Sequence, residues 1–264
     1  MADYKLSYTA EDIDARLGKV GNAVLYTQQT LTTAQKEQAR KNLGITLNDN
    51  KYYITPETFG AKGDGVTDDT DAFTNAINSG HKFIYIPDKE YAIDGSLVLK
   101  SNIHIFGKGT LKIKASEKII TNDGASSNYC IYGNGIDNVI IEGITIKPMS
   151  NPTYVGLIEN SSNITLRDIR AISENTWSED AKTYNGIGFG NGIYFSGSSN
   201  ITVDGLYFKG TRSGKGVEFD NCKNSIIKNS KISHTARAGI SVTGYSNNIH
   251  VVDNTVEYAT LRIH

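Results

Sequence analysis

Residues 200–208 read NITVDGLYF, and four other stretches follow the same plan: NVIIEGITI from Asn138, NITLRDIRA from Asn163, NSIIKNSKI from Asn224 and NIHVVDNTV from Asn248. Successive asparagines are 25, 37, 24 and 24 residues apart. Apolar residues tend to fall one, three, six and eight positions after each asparagine, as Ile201, Val203, Leu206 and Phe208 do. Two pairs of alternating apolar residues mark two short strands. The break between them carries Gly143, Asp168, Gly205, Asn229 or Asp253, residue types that tolerate a sharp bend. A unit this short cannot bury its apolar stripe alone, so the copies must stack, each strand on its counterpart one turn away. The pattern predicts an all-β solenoid, a parallel β-helix of five or six turns, about 25–30 Å long at roughly 4.8 Å per turn.

Upstream of the repeats, residues 83–86, 91–93, 97–99, 103–105 and 111–113 read as further short strands, with Asn102 as a degenerate first member of the asparagine series. Residues 58–79 read as a Gly-rich loop followed by a helix that covers the start of the coil. Phe73, Ala76 and Ile77 share one helical face, and Asp68, Asp69 and Asp71 lie near its amino end, where carboxylates complement the dipole and cap free amides. The GDG loop lacks the Gly-Lys-Ser/Thr of a phosphate-binding loop, and its acidic residues would repel phosphate.

Residues 1–47 are of a different kind. Thr9 to Asp12 resemble a capping box before Ile13, Leu17, Val20 and Val24, a single short seam. A second helix is expected from the cap at Thr32 and Thr33 to Leu43, with Gly44 in the C′ position. Helices this short need a partner, which suggests an anchoring or oligomerisation segment ahead of a β-helix domain at 48–264. The alternative is a helical plug on the chain's own coil.

The 264 residues suit one large domain with an appendage, and 26 Gly against 4 Pro with 15 Tyr favours a turn-rich β protein. A formal net charge of −1 gives no general basic footprint for nucleic acid. Cys130 and Cys222 lie on different repeats and read as small buried hydrophobes. No stretch approaches the roughly 20 apolar residues of a membrane span, and the polar MADYKLSY start has no apolar core of a signal peptide. Synthesis in a cytoplasm without Sec export is expected. The sequons at Asn160, Asn163 and Asn200 then read as by-products of the asparagine series.

Phe59 to Ala72 resembles the FGAxGDGxTDDTxA signature that opens right-handed β-helices of the pectate-lyase-like superfamily, shared by pectin-degrading enzymes and phage tailspikes. The repeats extend the resemblance over roughly residues 53–260. The stretches YTAEDIDARLGKV and LTTAQKEQARKNLGI are similar to leader segments of tail and baseplate proteins of phages and prophages of Gram-positive bacteria. Together these resemblances imply a right-handed β-helix in a virion tail or baseplate, a homotrimer attached through residues 1–45 to other tail proteins, facing cell-surface polysaccharide. The family's catalytic patterns do not carry over. RAGIS at 237–241 sits where a GHGIS-like sequence is expected but lacks its histidine, residues 262–264 echo an RIK only weakly, and the paired aspartates are missing. Arg237 and His234 have no stacked acidic triad beside them of the kind lyases use for calcium. No Cys/His spacing suggests zinc, and neither metal nor cofactor is implied.

The strands preceding the last three repeats align as residues 192–196, 216–220 and 239–243. Alternation points Ile193/Phe195, Val217/Phe219 and Ile240/Val242 inward, which leaves Tyr194/Ser196, Glu218/Asp220 and Ser241/Thr243 outward on adjacent turns. Glu218 and Asp220 are the best-placed pair for glycoside chemistry, which needs two carboxyls about 5 Å or roughly 6.5–9.5 Å apart. The 37-residue step places an insertion at 174–190 holding Trp177, Glu179, Asp180, Tyr184 and Phe189. Aromatic rings stack on sugars, so Trp177, Tyr184 and Tyr194 are the candidate carbohydrate-binding residues. The bland readings are a wet strand surface and a tryptophan that pins its own loop.

The expected function is a structural and recognition subunit of a phage tail. The alternative is a polysaccharide depolymerase, hydrolase or lyase, with Glu218 and Asp220 as catalytic groups. The repeats still run at Val256, so the open end is expected either to pack on a partner or to continue in a longer polypeptide.

Overall fold

The computed structural model describes residue 32 and residues 52–116, 119–120, 126–150, 154–174, 176–178 and 183–259. The helices expected within residues 1–47, and the turn signals there, lie outside this range apart from Thr32. From Tyr52 onward the chain forms a compact unit. Its strands wind into three parallel sheets, each strand pairing with its counterpart one turn away. Sheet I holds the asparagine segments: Phe83–Ile86, Ile103–Gly107, Asp137–Glu142, Ser162–Arg167, Ser199–Asp204, Lys223–Lys228 and Asn247–Val252. Sheet II runs through Asp64–Asp68, Glu90–Ile93, Thr110–Ile113, Thr145–Pro148, Arg170–Ile172, Tyr207–Lys209, Lys231–Thr235 and Thr255–Ala259. Sheet III comprises Leu97–Val98, Tyr129–Asn134, Tyr154–Glu159, Asn191–Ser196, Val217–Asp220 and Ile240–Thr243. The result is a right-handed parallel β-helix, the hand that parallel crossovers take.

The bends follow from residue chemistry. Gly143, Asp168, Gly205, Asn229 and Asp253, between sheets I and II, all have positive φ. Gly143 is obligatory on a second count, since a Cβ there would lie 2.4 Å from the Gly107 carbonyl oxygen. The repeat asparagines are themselves left-handed, with φ between 50° and 58°, and Asn102 joins them at 62°. Asparagine is among the few side-chain-bearing residues that take this conformation readily. Their amides also stack. Asn138 Nδ2 donates to Asn102 Oδ1 at 3.1 Å, Asn200 to Asn163 at 3.1 Å and Asn248 to Asn224 at 3.0 Å, while Asn163 turns to Asp137 at 2.7 Å.

Inside the coil, Ile141, Val203, Ile227, Leu111, Phe208 and Phe219 are all fully or almost fully buried. Phe195 and Phe219 stack face to face, 5.2 Å between centroids. Ser225 takes an apolar position of its repeat without penalty, because its hydroxyl accepts from Ile201 N and donates to the Lys223 carbonyl. Cys130 and Cys222 are free and buried, and burial raises both thiol pKa values.

The covering helix is Thr70–Asn78, burying Ala72, Phe73, Ala76 and Ile77. The acidic residues before it divide their work differently from the expectation. Asp68 accepts from Thr70 N at 3.0 Å, but Asp69, 2% exposed, accepts from Lys62 N at 2.7 Å and Gly63 N at 3.1 Å. Asp69 therefore fastens the Gly-rich loop rather than capping the helix. Part of that loop is itself a strand, Asp64–Asp68, at the edge of sheet II.

Two corrections concern the far turns. Val242 was expected inward, yet it is 46% exposed, because among the described residues no further strand covers the Ile240–Thr243 edge. Val251 and Val256 are exposed for the same reason. His234, which reads as an ordinary turn residue, sits within Lys231–Thr235 at φ 56°, its ring 4.8 Å from that of Tyr258.

Candidate functional site

Sheet III brings three of the five candidate residues together. Its register sets Tyr194 beside Glu218 and Ser241, and Ser196 beside Asp220 and Thr243. The inward partners Ile193, Phe195, Val217 and Phe219 are buried, which fixes the outward column. Tyr194 Oη donates to Asp220 Oδ2 at 3.0 Å. Burial, then the Asp220 carboxylate, raises the Tyr194 pKa far above its ordinary value, so the hydroxyl stays a donor at any physiological pH.

Thr243 bridges the two acids. Its hydroxyl lies 3.1 Å from Glu218 Oε1 and 3.1 Å from Asp220 Oδ1, which limits the separation of those oxygens to about 6 Å. That upper limit falls between the roughly 5 Å of retaining glycosidases and the roughly 6.5–9.5 Å of inverting ones. Glu218 is also held by an ion pair with Lys215 from the preceding loop. Glu218, engaged by Lys215 and Thr243, and Asp220, engaged by Tyr194, Asn221 and Thr243, are both positioned to accept hydrogen bonds from sugar hydroxyls.

The face continues where sequence reasoning did not look. Tyr154 and Tyr194 stack at 6.1 Å and 21°, Tyr129 stacks on Tyr154 at 5.3 Å, and Tyr132 lies 5.8 Å from Tyr129. Tyr132 Oη donates to Glu159 Oε2 at 3.2 Å, repeating the Tyr194–Asp220 arrangement two turns away. Aligning only residues 192 onward left out the 129–134 and 154–159 strands. The tyrosines near the start of each, 25 residues apart, were the available signal.

Register pairs Trp177 with Tyr184 in a two-stranded antiparallel ribbon, Thr176–Ser178 with Thr183–Asn185, inserted between sheets II and III where the long step predicted it. Phe189 is not a surface aromatic of this insertion. It is fully buried, 6.2 Å from Phe208, and its backbone bridges to Thr211. A second insertion, Ile119–Ile120 with Ser126–Ser127, lies within the 36-residue step from Asn102 to Asn138, where the spacing was again long. Among the described residues no group of three or more His, Cys, Asp or Glu could hold a metal ion, and no helix is long and apolar enough to cross a membrane.

Comparison with known proteins agrees with the parallel β-helix fold. The preneck appendage protein of Bacillus phage PZA is 24% identical over 83% of this chain and 31% of its own length. The K30/K69-specific capsule depolymerase of Klebsiella phage K64-1 is 29% identical over 76% of this chain and 26% of its own length. The chain thus spans about a third or less of the length of these two relatives. Among solved structures, a hyperthermoactive exopolygalacturonase from Thermotoga maritima superposes with a TM-score of 0.63 at 15% identity, covering 77% of this chain and 60% of that one, a likeness of fold. Residues 53–261 match the family described as rhamnogalacturonase A/epimerase, pectate lyase-like, and the chain belongs to that family.

Proposed function

We propose that the chain is the β-helix portion of a phage or prophage tail appendage that holds cell-surface polysaccharide against sheet III. The observation that carries this reading is the stacked pair of Tyr154 and Tyr194, backed by the buried Tyr129 and adjoining Asp220, Glu218 and Thr243. The partly exposed rings of Tyr154 and Tyr194 supply apolar contact to sugar rings, and the adjacent carboxylates accept hydroxyl hydrogen bonds. The phage appendage and capsule-depolymerase relatives support a virion setting and a glycan ligand. Residues 1–47 serve as the anchor to neighbouring tail proteins and as the trimerisation segment, and Trp177 and Tyr184 extend the sugar surface.

The test is binding to polysaccharide purified from a panel of bacterial surfaces. Tyr194→Ala is expected to weaken binding at least tenfold, and unchanged affinity would remove sheet III from the account. For the anchor, light scattering of the full chain is expected to give a trimer and removal of residues 1–47 a monomer; a full-length monomer contradicts it. The close Glu218–Asp220 approach favours one further reading, hydrolysis of the bound glycan. Release of reducing ends that Glu218→Gln abolishes would support it, and release unaffected by Glu218→Gln and Asp220→Asn would refute these two residues as catalytic.

A further inference from the structure

The three faces of the coil balance their charges in different ways. On sheet I, register places Glu142, Arg167, Asp204 and Lys228 on consecutive turns, with ion pairs at 3.1 Å for Arg167–Glu142 and 3.3 Å for Lys228–Asp204. That column neutralises itself. Sheet III carries acid, with Glu159, Glu218 and Asp220 facing outward.

Sheet II is basic. One outward column runs Thr145, Arg170, Tyr207, Lys231 and the next Lys112, Lys147, Ile172, Lys209. The end cations are compensated, Lys112 by Glu90 at 3.6 Å and Lys231 by Glu257 at 3.0 Å. Between them, Lys147, Arg170 and Lys209 pair with no carboxylate among the described residues. Arg170 lies over the Tyr207 ring, 4.5 Å from its centroid, a contact that orients the guanidinium and leaves its charge in place. These three cations stand on three successive turns and span about 10 Å along the coil axis at roughly 4.8 Å per turn. Beside Lys147 opens a depression of about 390 Å³ whose walls include Lys112, Met149 and Ile172, with Glu90 and Glu174 also lining it.

A row of uncompensated like charges does not follow from overall composition, since the chain has a formal net charge of −1. Unpaired cations in a line raise the local potential and attract a ligand whose negative charges repeat along a chain. We propose that the outward face of sheet II binds a linear polyanion, a polymer bearing a carboxylate or phosphate on each repeating unit, with Lys147, Arg170 and Lys209 as its contact residues. The apolar floor beside Lys147 takes the uncharged side of one repeating unit, and Glu174 accepts a hydroxyl from it. No sheet III residue enters this site, so it is a second surface, separate from the tyrosine file.

The experiment immobilises hyaluronate, inorganic polyphosphate and neutral dextran and measures binding of the full-length chain at two salt concentrations. Wild type is expected to bind at least one polyanion, more weakly at high salt; a preference between the two identifies the anion as carboxylate or phosphate. The triple variant Lys147→Gln, Arg170→Gln, Lys209→Gln is expected to bind at least tenfold more weakly with a shallower salt dependence. A control with the same charge change, Lys82→Gln, Lys108→Gln, Lys223→Gln, is expected to change affinity less than twofold. Circular dichroism melts check that both variants fold. Failure of wild type to bind either polyanion, or equal losses in the two triple variants, overturns the proposal. Tyr194→Ala is expected to leave polyanion affinity unchanged, so loss of this site and loss of the sheet III site read out separately.

Discussion

Asp69, buried at the start of the covering helix, gives both carboxylate oxygens to the backbone of the loop in front of it. Hydrogen bonds to a buried charge are worth roughly 1.5–3 kcal/mol, so Asp69→Ala is expected to destabilise the protein by about 2–3 kcal/mol in urea unfolding, and Asp69→Asn by less. Equal stability of Asp69→Ala and wild type would contradict the fastening role. The sequence showed an acidic cluster at a helix start but not which member faced the loop, because that depends on how the loop folds back over residues 62 and 63. Asp64 offers a second test. The Thr67 hydroxyl, with the Thr67 and Val66 amides, holds its pKa down to about 2 from the ordinary 3.8. The folded value is the lower one, so ionised Asp64 favours the fold above pH 3.8, and this support is lost as pH falls towards 2. In Thr67→Val the hydroxyl donor is gone, and an NMR titration is expected to find the Asp64 carboxyl moved up towards 3.8.

Each repeat of the coil is an element whose strands, bends and inward residues could be read directly from the asparagine spacing. Ile201, Val203, Leu206 and Phe208 are all buried, and every expected bend residue has positive φ. The asparagines themselves carried more than register, since each is left-handed and most stack amide on amide. Asn200→Ala is therefore expected to cost about 2–3 kcal/mol, roughly 1–2 from forcing alanine into the left-handed region and about 1 from the lost bond to Asn163. Asn200→Gly keeps the backbone free and is expected to lose about 1 kcal/mol; a larger loss for glycine than for alanine would refute this division. Period alone could not identify Phe189 as core, because it lies in a step whose length breaks the pattern. Its burial depends on packing against Phe208 in the neighbouring strand. Phe219→Ala, which empties half of a stacked pair, is expected to cost about 3–5 kcal/mol in the same assay.

At the scale of the whole molecule, the coil sorts chemistry by face: a self-neutralised sheet I, a basic sheet II and a sheet III that joins tyrosines to carboxylates. This sorting was only partly readable from the chain. The Glu218/Asp220 pair and Tyr194 emerge from aligning neighbouring turns, but Lys215 reaches Glu218 from a loop outside that alignment. Tyr129 and Tyr154 join Tyr194 only once the turns are stacked. The exposed Val242, Val251 and Val256 mark the last described turn as an open apolar end. The measurement that tests the central claim most directly is a structure of the full chain with an oligosaccharide from a polysaccharide it binds. The account predicts a sugar ring against Tyr154 or Tyr194, with a hydroxyl within hydrogen-bond distance of Asp220 or Glu218. An oligosaccharide bound elsewhere, with this face left clear, would contradict it.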